Sequence, residues 1–159
     1  QADVAAHDME HGIEVLLPII HELAPTARVT GVVIGRGDVA RCDEIAEGLA
    51  TVLKEYNRPV LLVISSDMNH FATDEENRRL DALALEQFDA LNEEELYRVC
   101  RRNRISMCGL LPAVIVLRTL KKMNCLQRCI AVGYGTSADV SGQKERVVGY
   151  AGRQLLSKG

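Results

Sequence analysis

"PVLLVISSDMNHF", residues 59–71, decides how this chain is read. Its first half is apolar at every position from Val60 to Ile64, rather than at alternate ones. That pattern belongs to a strand covered on both faces. The second half then presents two hydroxyls, an acid, an amide and a histidine where a plain turn would suffice. Upstream, "RVTGVVIG" (28–35) is β-branched and reads as another strand, and "DEIAEGLATVLKEY" (43–56) reads as a helix between the two. The resulting β-α-β unit predicts an α/β fold of three layers, with helices on both faces of a mainly parallel sheet.

Working outward, Ile13, Leu16, Leu17 and Ile20 recur at i, i+3, i+4 and i+7, the stripe of an amphipathic helix that closes near Pro25 and bends at Pro18. After the polar loop, "DEENRRLDALALEQFDAL" (74–91) predicts a helix with an acidic first turn. "NEEELYRVCRR" (92–102) predicts a second, with Asn92 as N-cap and Glu95 three residues on. "LPAVIVLRTLKKM" (111–123) is apolar enough to be a buried third. Two more strands, "CIAVGYG" (129–135) and "VVGYAGRQLL" (147–156), flank the loop "TSADVSGQKER". With no internal repeat or linker, the 159 residues predict a single domain.

The charge balance, 19 basic against 22 acidic residues for a net −3, carries no block of one sign and argues against a nucleic-acid partner. Apolar runs stop well short of the roughly 20 residues that cross a bilayer. Five cysteines without a C-x-x-C pair argue against a disulfide framework and for reduced thiols, so a cytoplasmic location is expected. The opening "QADVAAHDMEHG" has no initiator methionine and reads as the start of a fragment.

In open α/β sheets, ligands bind beyond the carboxyl ends of the strands. Three loops qualify: "GRGD" (35–38), "SSDMNHF" (65–71) and "GYGTSADVSG" (133–142). Asp67 and His70 share the second, a pairing that can orient a tautomer, bind a metal or move a proton. The residues leave a second reading open, in which Asp67 caps the following helix and His70 is a packing residue. His7 and His11 are four apart, but Gly12 follows at once, so His11 is the better single ligand candidate. His21 reads as solvated. Cys108, at the start of a buried helix, is a candidate ligand or nucleophile; Cys42, Cys100, Cys125 and Cys129 read as small fillers. No phosphate-loop or dinucleotide fingerprint is present.

Three motifs stand in order: "EHGIEVLLP" (10–18), "SSDMNHF" (65–71) and "MCGLLPAVIVL" (107–117), followed by "VVGYAG" (147–152). Together they resemble the Memo family, whose bacterial and archaeal members are called AmmeMemoRadiSam system protein B. The likeness covers essentially the whole chain, which corresponds to the C-terminal portion of a family member. The resemblance implies a fold related to the class III extradiol dioxygenases, with a metal-site-like cleft at the sheet edge. It implies His11 and Cys108 as metal ligands and His70, beside Asp67, as a further cleft residue. A family histidine in a "PHAGY"-like segment has no counterpart here, so the implied site is incomplete in this chain.

The expected function is therefore a metal-dependent, dioxygenase-like or redox role, with an iron, copper or zinc ion whose identity the residues do not choose. A thiolate in place of a carboxylate favours the softer ions. The alternative is a non-catalytic binding module that takes a peptide or small anionic ligand in the same cleft, with Arg36 of "GRGD" serving the anion. The partner is a small molecule or peptide, and self-association is compatible with the sequence.

Overall fold

The computed structural model describes residues 5, 7, 8 and 10–158. The chain divides into two compact units, one ending at Arg36 and one beginning at Gly37.

In the first unit, a 3-10 turn over Glu14–Leu16 leads into α1, Leu17–Leu23. The Glu10 carboxylate accepts from the backbone N–H groups of Gly12 (2.6 Å) and Ile13 (3.1 Å), partners for donors that a helix start leaves unmet. Pro18 stands in the first turn of α1, where the missing N–H costs nothing, so it begins the α-helix rather than bending it. Residues 28–35 carry no regular secondary structure and enter no ladder among the described residues.

The second unit holds α2 (Val39–Glu55), β1 (His70–Ala72), α3 (Asp74–Asp89), α4 (Glu93–Arg102), α5 (Leu110–Lys122), β2 (Leu126–Thr136), α6 (Ala138–Ser141) and β3 (Val147–Ser157). Polar side chains cap three helices. Asp38 accepts from Arg41 N–H at the start of α2, Thr73 from Glu76 N–H at α3, and Asn92 from Glu95 N–H at α4. Cys42, Ala46 and Ala50 line one face of α2, which packs on α5. These small residues allow close helix approach, and Val114 and Leu117 of α5 are fully buried with Leu96 of α4.

The sheet is small and antiparallel, in the order β1-β3-β2. Its register pairs Cys129 with Leu155, Tyr134 with Ala151 and Thr136 with Gly149, while His70 faces Val148. The architecture is thus mixed α/β, and the expected mainly parallel sheet is corrected. "CIAVGYG" and "VVGYAGRQLL" do form strands, but the connection over 137–146 contains only the short α6, and so brief a link joins antiparallel neighbours. The other two expected strands, 28–35 and 59–64, form no strand and enter no ladder among the described residues. Leu61, 84 % exposed, displays the apolar pattern without the neighbour that would complete it. Residues 60–64 border a cleft of about 690 Å³ whose lining also includes Met68, Phe88, Met107 and Leu120. Among the described residues no helix is long and apolar enough to cross a membrane.

Candidate functional site

The loop after Ile64 is tied to β3 before it becomes β1. Met68 N–H donates to Gly149 O at 2.8 Å, and Gly149 N–H returns a bond to Asn69 O at 3.0 Å. This stitching holds Asp67 and His70 on either side of a fixed backbone, so their side chains have a defined relation. Asp67 Oδ2 lies 3.5 Å from His70 Nε2, with Asp67 about half exposed and His70 mostly covered.

The opposite edge of His70 meets residue 106. Nδ1 is 2.8 Å from the carbonyl oxygen of Ser106, and the backbone N–H of His70 donates to Ser106 Oγ at 2.8 Å. A carbonyl can only accept, so Nδ1 carries a proton, and in the neutral ring Nε2 is the nitrogen with the lone pair. A bare imidazole nitrogen facing a carboxylate is suited to receive a cation, whether a proton or a metal ion.

Cys108 joins the same cluster from the start of α5. Its exposed sulfur accepts the N–H of Asp67 at 3.1 Å, and Ser66 Oγ lies 3.7 Å away. Gly109 N–H donates to Ser66 Oγ at 2.8 Å, closing the seam. Glycine is required there, because a Cβ would collide with Ser66 Cβ and stand 2.9 Å from Ser65 O. The structure therefore brings together three of the four residues expected from the sequence: Asp67, His70 and Cys108.

It also removes the capping role that one reading of the loop gave Asp67. Thr73 caps α3, leaving Asp67 six residues upstream with its carboxylate toward the histidine. His11 lies in the first unit, exposed, with Nδ1 3.7 Å from Glu14 Oε2. His7 and His11 both precede the helical residues, so they do not form a one-faced helical pair.

In the other two loops, acidic side chains hold local structure. Asp38 of "GRGD" is the α2 cap, and Asp139 of "GYGTSADVSG" accepts from Thr136 N–H (2.8 Å) and from Arg78 Nη2 (2.6 Å). Burial raises the Cys42 thiol and pushes Cys100 up to about 12, which suits the filler role expected for both.

The donor chemistry of Cys108 and His70 is of the kind zinc and copper take. Among the described residues, however, no group of three or more His, Cys, Asp and Glu side chains is gathered closely enough to hold a metal ion. Ser106 was not singled out from the sequence. Its signal was only its position two residues before Cys108, and a lone serine gives no pattern.

The sequence model of the Memo-like protein family matches residues 1–154. The chain belongs to the Memo-like family. Its relatives include a MEMO1 family protein of Archaeoglobus fulgidus, 33 % identical over 150 residues that cover 94 % of this chain and 56 % of the relative. One from Aquifex aeolicus is 34 % identical over 155 residues, covering 97 % of this chain and 57 % of the relative. One from Methanocaldococcus jannaschii is 31 % identical over 153 residues, covering 94 % and 53 %. This Memo-like chain thus spans about half the length of the relatives it matches.

Proposed function

We propose that this Memo-like chain supplies a proton-handling, ion-binding cleft for a small-molecule reaction of the dioxygenase-like or redox kind. His70 is the proton carrier and Asp67 its partner, while His11 and Cys108 are ligands of an iron, copper or zinc ion. The ligand set and the kinship to extradiol dioxygenases follow from the family resemblance. The observation that supports the chemistry independently is the 2.8 Å contact from His70 Nδ1 to the Ser106 carbonyl, which makes Nε2 the working atom.

At that atom the ring takes a proton from a bound acid, and the Asp67 carboxylate, 3.5 Å away, stabilises the imidazolium that results. Asp67 is itself held, because its N–H is spent on the Cys108 sulfur. An ion held by Cys108 would supply Lewis-acid or redox chemistry beside this pair. The thiolate biases the choice toward copper or zinc over iron.

Metal analysis of the purified protein tests the ion, with His11→Ala, Cys108→Ala, their double variant and His70→Ala alongside. Wild type and His70→Ala should retain metal and the ligand variants should lose it. A wild type as metal-free as the double variant rejects the ion and leaves the proton-handling pair to be judged alone.

A further inference from the structure

We infer that Asn69, itself oriented by Asn77, is the positioning residue that secures the His70 tautomer favoured by the Ser106 carbonyl, by claiming the Ser106 hydroxyl hydrogen that could otherwise reach Nδ1. The inference deepens the reading of His70 as the proton carrier and rests on it.

The polarity of the network can be derived bond by bond. Asn77, fully buried on α3, directs Nδ2 at two backbone carbonyls, Asn69 O at 2.8 Å and Val147 O at 3.3 Å. Carbonyls accept only, so the amide of Asn77 has one allowed orientation and its Oδ1 is an acceptor. That oxygen receives Nδ2 of Asn69 at 2.7 Å, which turns the Oδ1 of Asn69 toward residue 106. There it accepts both the backbone N–H of Ser106 at 2.9 Å and its hydroxyl at 3.1 Å.

Ser106 has a single hydroxyl hydrogen, and Asn69 takes it. The Ser106 oxygen, 3.3 Å from His70 Nδ1, therefore has no hydrogen to give that nitrogen. Nδ1 must be the donor, and the Ser106 carbonyl is its acceptor. The bare Nε2 is thus specified from α3, two residues removed from the ring.

The anchor under this relay is also buried. Asp81 Oδ1 accepts the N–H of Asn69 at 2.7 Å, and its Oδ2 accepts the Tyr134 hydroxyl at 2.8 Å. Asn69, Asn77 and Asp81 are all buried, so each must be satisfied within the protein, and a network satisfied throughout holds one arrangement.

Nitrogen-15 NMR of the histidine rings, at a pH where His70 is neutral, reads the tautomer directly. Wild type should have Nδ1 protonated and Nε2 bare; an Nε2–H ring in wild type overturns the inference without any variant. In Asn69→Ala the Ser106 hydroxyl is released to donate to Nδ1, and the His70 signals should move toward the Nε2–H form. Adding Ser106→Ala to that variant removes the hydroxyl, leaves the carbonyl, and should restore the Nδ1–H form. An Asn69→Ala protein that folds and keeps the wild-type tautomer refutes the relay. Metal content and turnover do not enter the readout, so failure of the proposed function leaves this result standing, and the reverse.

Discussion

The backbone N–H of Asp67 donates to the sulfur of Cys108 at 3.1 Å, joining residues 41 apart in the sequence. A side chain from the start of α5 therefore sets the backbone from which the Asp67 carboxylate reaches His70. Cys108→Ala removes the acceptor, and the Asp67 amide should exchange with solvent faster than in wild type, at a stability cost of about 1 kcal/mol or less for so exposed a bond. Cys108→Ser keeps an acceptor and should show a smaller change. Equal exchange rates at Asp67 in all three proteins would mean that the sulfur does not hold the loop.

The helix after the loop separates the roles of two neighbouring polar residues. Thr73 Oγ1 accepts the N–H of Glu76, whereas the Asp67 carboxylate faces His70. Thr73→Ala should lower the unfolding free energy by about 1 kcal/mol, the usual cost of a lost N-cap. Asp67→Ala should leave the urea midpoint close to wild type. A larger loss in Asp67→Ala than in Thr73→Ala would return the capping role to Asp67.

What could be read from the chain divides along the range of the interaction. The caps were local: Asn92 with Glu95 was legible, and "TDEE" carries the same spacing for Thr73 and Glu76. Asp67 and His70 were legible as a pair because only two residues separate them in one loop. The partners that hold them were not, since Ser106 and Cys108 arrive from a distant segment and Asn77 looks like any polar residue of an acidic helix turn. Strand pairing is likewise non-local. The run from Val60 to Ile64 states that both faces want apolar neighbours, but not which strand adjoins them or in which direction. The antiparallel β2 and β3 follow from a short connection, a feature of the chain between them rather than of either strand.

Acid and pH bear on the buried anchor in a defined sense. Burial raises the Asp81 carboxyl above its ordinary 3.8, outweighing the hydrogen bonds from Asn69 and Tyr134. Between 3.8 and that raised value the folded state binds more protons than the unfolded one, so stability falls as pH rises through the window. Asp74 works oppositely: the Thr136 hydroxyl and Arg78 hold it low, so its contribution is present above 3.8 and is lost as pH falls. Asp81→Asn removes the first effect and leaves the second. Relative to wild type, the variant should gain stability as pH rises from the acid side and then level off. Urea unfolding of both proteins across the range checks this, and a difference independent of pH would contradict it.

Gly109 tests whether the two sides of the site act as one body. A Cβ at this position meets Ser66 Oγ at 2.7 Å and Ser65 O at 2.9 Å, closer than carbon atoms approach, and one of those atoms is backbone. The strain cannot be relieved by a flexible side chain alone, so Gly109→Ala must push the loop of residues 65–67 away from the start of α5. Overpacking of this kind costs roughly 1–3 kcal/mol. The local consequence is more specific. With Ser66 displaced, the Asp67 N–H withdraws from Cys108, and the freed sulfur should react faster with iodoacetamide. The His70 ring should keep its contacts with Ser106, because Asn69 holds Ser106 through bonds separate from the Ser66–Gly109 seam. A Gly109→Ala protein that is destabilised but whose Cys108 reacts at the wild-type rate would show that the seam can shift without uncoupling thiol from loop.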